Sequence, residues 1–414
     1  MRVLVTDGNE RSALAITRAL GQHSIDVVVG AETERSLAAA SKYCWGAISY
    51  PSPFEDSSGF VASIFDAVRR FQVTAVFPTS DGAMSLIAQQ RQKFAEHTKL
   101  PIPAAAVFES LSNKYSLMQL AVTLGIPVPE NVFVPDGRFE GRSKTLPNFP
   151  VVVKPGRSIL NANGRLRKTR VHYAASKAEL ARLYAAIDYL RQPSLIQRRV
   201  EGEGQGIFAL MNHGQPVALF AHRRLREKPP SGGVSVLRES IALPQPMTQY
   251  AMRLLQHVGW HGVAMVEFKV DRRTGVPFLM EVNGRFWGSL QLALDAGLNF
   301  PLLLYRMACG GDVNLAAAGY KVGVKSRWLL GDLDHLLLRL FKSDAALSLP
   351  PDSPTKLKTL IDFCRFFQRN TRYEVNRFDD PNPFCYELRQ YLACLLLPTR
   401  QVTGNFHYGA GRLV

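Results

Sequence analysis

Two runs of alternating residues with a five-residue turn between them leave this chain least freedom. Residues 264–270 and 276–282 flank Asp271-Arg272-Arg273-Thr274-Gly275, a pattern that folds back on itself as an antiparallel hairpin. Side chains on a strand alternate between faces. Glu267, Lys269 and Asp271 therefore share one face, and Val266, Phe268 and Val270 the other. On the returning strand Glu281 and Asn283 share a face, with Met280 and Val282 opposed to them. Registered by the turn, Glu267 and Glu281 come to lie on neighbouring strands and point the same way. Two like charges so placed repel unless a cation lies between them. With the Asn283 amide oxygen they make an all-oxygen set suited to Mg²⁺ carrying nucleotide phosphates. Arg285, two residues on, can reach a phosphoryl oxygen. A solvated, ion-paired face fits the same spacing, so the spacing alone leaves both readings open.

The first hundred residues alternate strand and helix, which predicts a parallel, doubly wound sheet. Residues 3–6, 26–30 and 73–78 read as strands, and Ser12 stands where a residue could cap the first helix. A dinucleotide fingerprint would place G-x-G-x-x-G after the first strand, and only Gly8 is there. Beyond Leu100-Pro101-Ile102-Pro103, Asn113-Lys114 opens an apolar-periodic helix closed by Gly125. Residues 151–154 and 194–200 read as strands, and 206–278 is mostly strand with a helix near 247–258. Amphipathic helices are expected around 328–341 and 356–367.

The chain has 414 residues and a net charge of +16, which raises nucleic acid as a partner. The charge is spread evenly rather than gathered in a polybasic arm, so nucleic acid is not expected as the main partner. Local clusters such as 154–170 and His222-Arg223-Arg224-Leu225-Arg226 suit phosphates better. Five cysteines without a CxxC pair argue against a disulfide framework or a zinc site. His222 is the one histidine placed near the candidate chemistry, without a role. No apolar run reaches the ~18–20 residues of a membrane span, the run 392–397 being stopped by Pro398. The N-terminus reads as a buried strand, not a signal peptide, so the expected location is cytoplasmic.

Val266-Glu267-Phe268-Lys269-Val270-Asp271 and Met280-Glu281-Val282-Asn283-Gly284-Arg285-Phe286-Trp287-Gly288-Ser289 resemble the metal-binding end of the ATP-grasp superfamily. Four further segments fit in order: Ser112-Asn113-Lys114, Pro150-Val151-Val152-Val153-Lys154-Pro155, Gln197-Arg198-Arg199-Val200-Glu201-Gly202-Glu203-Gly204 and Pro229-Pro230-Ser231-Gly232-Gly233. The similarity covers about residues 1–312 and is greatest to carbamoyl-phosphate-synthase-like carboxylate–amine ligases. It implies an α/β and α+β chain in three parts. A pre-ATP-grasp parallel-sheet domain would span 1–105. An ATP-grasp domain would span 106–312, with a lid at about 150–195 over an antiparallel-sheet subdomain. A mainly helical extension would span 313–414.

The resemblance also implies roles. Lys114 and Lys154 would neutralise ATP phosphates, and Gln197, Arg198, Arg199 and Val200 would line the adenine slot. Glu203 would hold the ribose, and Gly232 and Gly233 would let backbone approach the nucleotide. Glu267, Glu281 and Asn283 would hold Mg²⁺, which Mn²⁺ could replace. Arg285 would stabilise the transferring phosphoryl group, with Arg224 or Arg226 assisting. The expected reaction activates a small carboxylate as an acyl phosphate and couples it to an amine, releasing ADP and phosphate. Bicarbonate activation through carboxyphosphate is the alternative, and a non-catalytic ATP-binding module is the alternative of another class.

The chain departs from the superfamily at three places. The loop Gly156-Arg157-Ser158-Ile159-Leu160-Asn161-Ala162-Asn163-Gly164 has fewer glycines and more basic residues than is usual there. Asn113 stands where aspartate is common, and Glu203 lies one position nearer the adenine segment than in some relatives. Residues 313–414 match no motif. Completing the acceptor site, forming a homodimer interface, docking a partner, resting on a membrane surface and capping the core all remain open for them.

Overall fold

A computed structural model describes residues 1–139, 146–162, 165–311, 319–350 and 352–396. Asn163 and Gly164 of the lid loop, and the end of the 392–397 apolar run, lie outside the described residues. Four parallel strands open the chain: β1 (Arg2–Val5), β2 (Asp26–Ala31), β3 (Cys44–Ser49) and β4 (Ala75–Phe77), ordered β3-β2-β1-β4. Val3, Leu4, Val5, Val27 and Val28 are fully buried, as expected of a parallel sheet covered on both faces. The strand β3 escapes the periodicity reading because it carries only half-buried and exposed positions. The first helix, Arg11–Gly21, starts after Glu10, and Ser12 is buried inside it rather than capping it.

Next come β5 (Asn131–Val134), β6 (Val151–Pro155), β7 (Ile159–Ala162), β8 (Arg165–Lys168), β9 (His172–Ala174) and β10 (Ser194–Arg198). β7 and β8 form a hairpin of their own, and the other four make a second sheet ordered β5-β10-β6-β9, antiparallel throughout. Val132, Val151, Val153, Leu180 and Ile196 form its own small core. Helix Lys114–Thr123 leads into it, capped by Asn113, whose Oδ1 accepts from the Tyr115 and Ser116 amides at 3.0 and 3.4 Å. The amide oxygen that stands in for the usual aspartate thus serves the helix start.

A seven-stranded sheet lies opposite. It contains β11 (Gly202–Asn212), β12 (Gln215–Lys228), β13 (Val234–Ser240), β14 (Gly262–Asp271), β15 (Pro277–Asn283), β16 (Lys325–Arg327) and β17 (Thr371–Tyr373), ordered β15-β14-β11-β12-β13-β16-β17. The predicted hairpin is β14–β15. The C-terminal part is mainly helical as expected, with helices Leu329–Phe341, Lys356–Cys364 and Asn382–Leu396, and its two short strands also extend the central sheet. Buried ion pairs bind this part to the first helix and to β13. Arg18 donates to Asp380 at 2.8 Å, and Glu374 lies between Arg11 of that helix and Arg238 of β13. Among the described residues no helix is long and apolar enough to cross a membrane.

Candidate active site

One row of side chains crosses five strands on the inner face of the large sheet. Glu281 pairs with Glu267, Glu267 with Gly206, Gly206 with His222 and His222 with Ser240. Directly opposed residues point to the same side, so the two carboxylates stand next to each other as the spacing predicts. Cations answer them. Arg224 Nη2 donates to Glu267 Oε2 at 2.5 Å, and Lys114 Nζ lies 3.4 Å from Glu281 Oε2. Asn283 Nδ2 donates to Glu281 Oε1 at 3.1 Å. Burial raises the Glu267 carboxyl above its usual range in spite of Arg224, and the neighbouring Glu281 charge adds to the rise. For Glu281 burial also pushes upward, but Lys114, the Asn283 hydrogen bond and Lys154 outweigh it and hold the group low. The pair thus divides its protons unequally, as two carboxylates in one place must. Burial pushes the Lys154 ammonium down to about 8, against the pull of Glu281.

A bulge interrupts the hairpin between Glu267 and Phe268, where Phe268 pairs with Leu279 and Met280 is left over. The extra residue turns Met280 into the cleft beside Glu281, whereas strict alternation places it on the far face. Bulges re-aim side chains in this way.

The cleft between the second, four-stranded sheet and the large sheet has a volume of about 520 Å³. Lys154, Gln197 and Val200 line one wall, and Arg224, Glu267 and Met280 the other. Gln197 is buried and donates through Nε2 to Asn131 Oδ1 at 2.7 Å. Arg198 reaches Asp271 at 3.4 Å, and Arg199 Nη2 donates to the Ser348 carbonyl at 3.0 Å. The three residues line the cleft, while the hydrogen-bond partners of their side chains lie outside it. Gly232 has φ +125°, and a Cβ on Gly233 would come within 2.4 Å of the Lys228 carbonyl oxygen. Only glycine fits that turn, which Arg224 Nη1 closes through the Gly233 carbonyl at 3.1 Å.

Two expected residues lie elsewhere. Glu203 pairs with Val270, one step out of phase with the cleft-facing Gly204 opposite Lys269. Its carboxyl is therefore on the other face, near Arg223 and Glu239, and cannot hold a ribose in this cleft. The one-residue offset in the sequence has this physical result, because period two reverses the face. Arg226 donates to Asp332 at 2.7 Å, a carboxylate it shares with Arg327. It lines a separate cavity of about 450 Å³ against the C-terminal region. Irregular pairing on either side of Arg226 carries it away from Arg224.

Arg285 is also more constrained than its motif suggests. Its Nε donates to Asp81 Oδ1 at 2.8 Å, and Asp81 begins the helix that follows β4. A second cleft, of about 560 Å³, lies beyond Glu281, Asn283 and Arg285 and is lined by Asp81, Lys114, Arg157 and Ser158. Sequence reasoning missed Asp81. The signal was its place just past a parallel strand, where open α/β sheets bind ligands.

Among the described residues there is no group of three or more His, Cys, Asp or Glu placed to hold a metal ion. Glu267, Glu281 and the Asn283 amide make a smaller set. It fits Mg²⁺ that keeps water and phosphate oxygens as its remaining ligands, and not an all-protein cage.

The comparisons agree on the fold: the chain has the ATP-grasp fold. Residues 191–329 match the family described as ATP-grasp in the biosynthetic pathway with Ter operon. An L-amino acid ligase from Bacillus licheniformis is 15% identical, with 78% of each chain covered and a TM-score of 0.60. A biotin carboxylase in a β,γ-ATP complex from Campylobacter jejuni is 15% identical, covering 78% of this chain and 74% of that one, with a TM-score of 0.59. An ADP complex of N5-carboxyaminoimidazole ribonucleotide synthetase is 14% identical, covering 82% and 84%, with a TM-score of 0.60. At such identities the likeness is one of fold. No curated protein matches the sequence.

Proposed function

We propose that the protein is an ATP-dependent ligase that converts a small carboxylate to an acyl phosphate and couples it to an amine, releasing ADP and phosphate. The observation that carries this reading is the side-by-side placement of Glu267 and Glu281, with Asn283, Lys114, Lys154 and Arg285 around them. The boundaries 1–105, 106–312 and 313–414 divide the chain into a sheet domain, an ATP-grasp domain with its lid at about 150–195, and an extension.

In this reading Gln197 to Val200 present backbone to the adenine edge, and Met280 packs against its face. Gly232 and Gly233 let the turn approach the phosphates. Lys114 and Lys154 neutralise phosphate charge, while Glu267, Glu281 and Asn283 hold Mg²⁺. The metal supplies charge neutralisation on the β- and γ-phosphates. Arg285, set by Asp81, orients the transferring phosphoryl group, and Arg224 positions Glu267. The substrate carboxylate oxygen attacks the γ-phosphorus and the bond to the β-phosphate oxygen breaks, giving ADP. The amine then attacks the acyl carbon, phosphate leaves and the amine loses a proton. The lid excludes water that would otherwise hydrolyse the acyl phosphate.

The test supplies Mg-ATP, a panel of acids and hydroxylamine, which traps an acyl phosphate as a hydroxamate whatever the natural amine. ADP with a hydroxamate supports the ligase. AMP overturns the acyl-phosphate route. Turnover that depends on bicarbonate alone replaces it with carboxyphosphate chemistry.

A further inference from the structure

His222 and Trp287 line the cleft of Glu267 and Glu281 while being only 1% and 2% exposed. Both ring nitrogens of His222 and the Trp287 Nε1 lack a hydrogen-bond partner among the described residues. The two rings flank Phe208, whose centroid lies 4.6 Å from the His222 ring and 4.4 Å from the Trp287 ring. Buried donors left bare are costly, and two on one wall call for something that meets them.

The geometry limits what that can be. Glu267 and His222 sit in the same sheet row, two strand spacings apart, or about 10 Å. Gly206 stands between them and puts no side chain into the gap. That distance has room for a transferred phosphoryl group followed by a short acid. Burial, with Arg224 and Arg238 close by, holds the His222 imidazole well below its usual range and so keeps it neutral. It offers one donor and one acceptor, and the Trp287 indole offers one donor. The guanidinium groups around them are already matched. Arg11 and Arg238 pair with Glu374, and Arg224 pairs with Glu267 and Glu227. A second carboxylate would find no unclaimed cation among these, whereas a neutral oxygen would find N–H groups.

Building on the ligase reading, we propose that His222 and Trp287 bind the tail of the acid substrate through a neutral oxygen, a hydroxyl, ketone or carboxamide, a short chain away from the reacting carboxylate. The experiment uses the full chain with Mg-ATP, hydroxylamine and three acids of equal length: valerate, glutaramate and glutarate. Glutaramate, whose carboxamide is inert to hydroxylamine under mild conditions, should exceed valerate in kcat/KM by about 100-fold or more, and exceed glutarate as well. Trp287→Phe should shrink the glutaramate preference about tenfold or more, mainly through KM, with ATP affinity retained. The indole N–H resonance that disappears in Trp287→Phe should shift in the native protein on addition of glutaramate and stay in place with valerate. Equal use of valerate, preference for glutarate, or a resonance indifferent to glutaramate would overturn the proposal. A resonance that answers glutaramate while no hydroxamate forms with any acid would fail the ligase reading and leave the subsite standing.

Discussion

Asp81, just past strand β4 of the parallel sheet, holds Arg285, just past strand β15 of the seven-stranded sheet, with contacts of 2.8 and 3.4 Å. The carboxylate is fixed in turn by its helix, whose cap, Ser80, accepts from the Ala83 amide at 3.1 Å. The orientation of an arginine just past the β14–β15 hairpin is therefore set by the helix that follows β4. Asp81→Asn keeps the shape and removes the charge. Its expected effect is a fall in kcat of up to about 10²-fold from misplacement of Arg285, with little change in KM for ATP. Rescue by Asp81→Glu, measured in the same assay, separates this positioning role from a folding defect.

Lys154, on strand β6, lines the same cleft as both carboxylates. Lys154→Ala is expected to weaken ATP affinity by about tenfold to a hundredfold, the range for a hydrogen bond to a charged group. Calorimetric titration with ATP and magnesium checks this, and unchanged affinity would remove the phosphate role.

The Gly233 turn tolerates no side chain, because a Cβ would meet the Lys228 carbonyl oxygen at 2.4 Å and the Pro229 ring at 2.7 Å. Gly233→Ala should destabilise the chain by about 1–3 kcal/mol and weaken nucleotide binding together. A thermal melt with and without ATP reads both effects.

His261 gives a pH dependence that is independent of the cleft. Burial, then the stacked His213 ring at 4.1 Å and Arg91, lower its pKa from 6.5 to about 4. The unfolded chain therefore binds more protons than the folded one between those values, and this contribution to stability rises with pH across the window. It is fully present above about 6.5 and is lost as pH falls through 4. His261→Asn should flatten that part of the melting-temperature profile between pH 4 and 6.5, and an unchanged slope would refute the assignment.

The alternating residues of β14 and β15 made the facing carboxylates legible, since period two and a short turn fix both face and register. Met280 was not legible because one unpaired residue shifts the phase, and nothing in the local composition marks the bulge. The same rule of phase displaced Glu203, where an offset of one residue means the opposite face. Arg226 was misplaced because alternation fails where β12 pairs irregularly with β13. The parallel sheet was read from apolar runs, and β3 was lost because a half-exposed strand lacks such a run. Helices Leu329–Phe341 and Lys356–Cys364 were legible from their amphipathic spacing, whereas helix Asn382–Leu396 was not read. Strands β16 and β17, of three residues each, are held by neighbours distant in sequence and are too short for any periodicity.

The central claim is that Glu281 holds the metal that carries the transferred phosphate. Glu281→Gln leaves size and shape unchanged and removes the charge. ADP release in the hydroxylamine assay should fall about 10³-fold, while circular dichroism and the melting temperature show a folded protein. ADP release at the native rate by the folded variant would contradict the account.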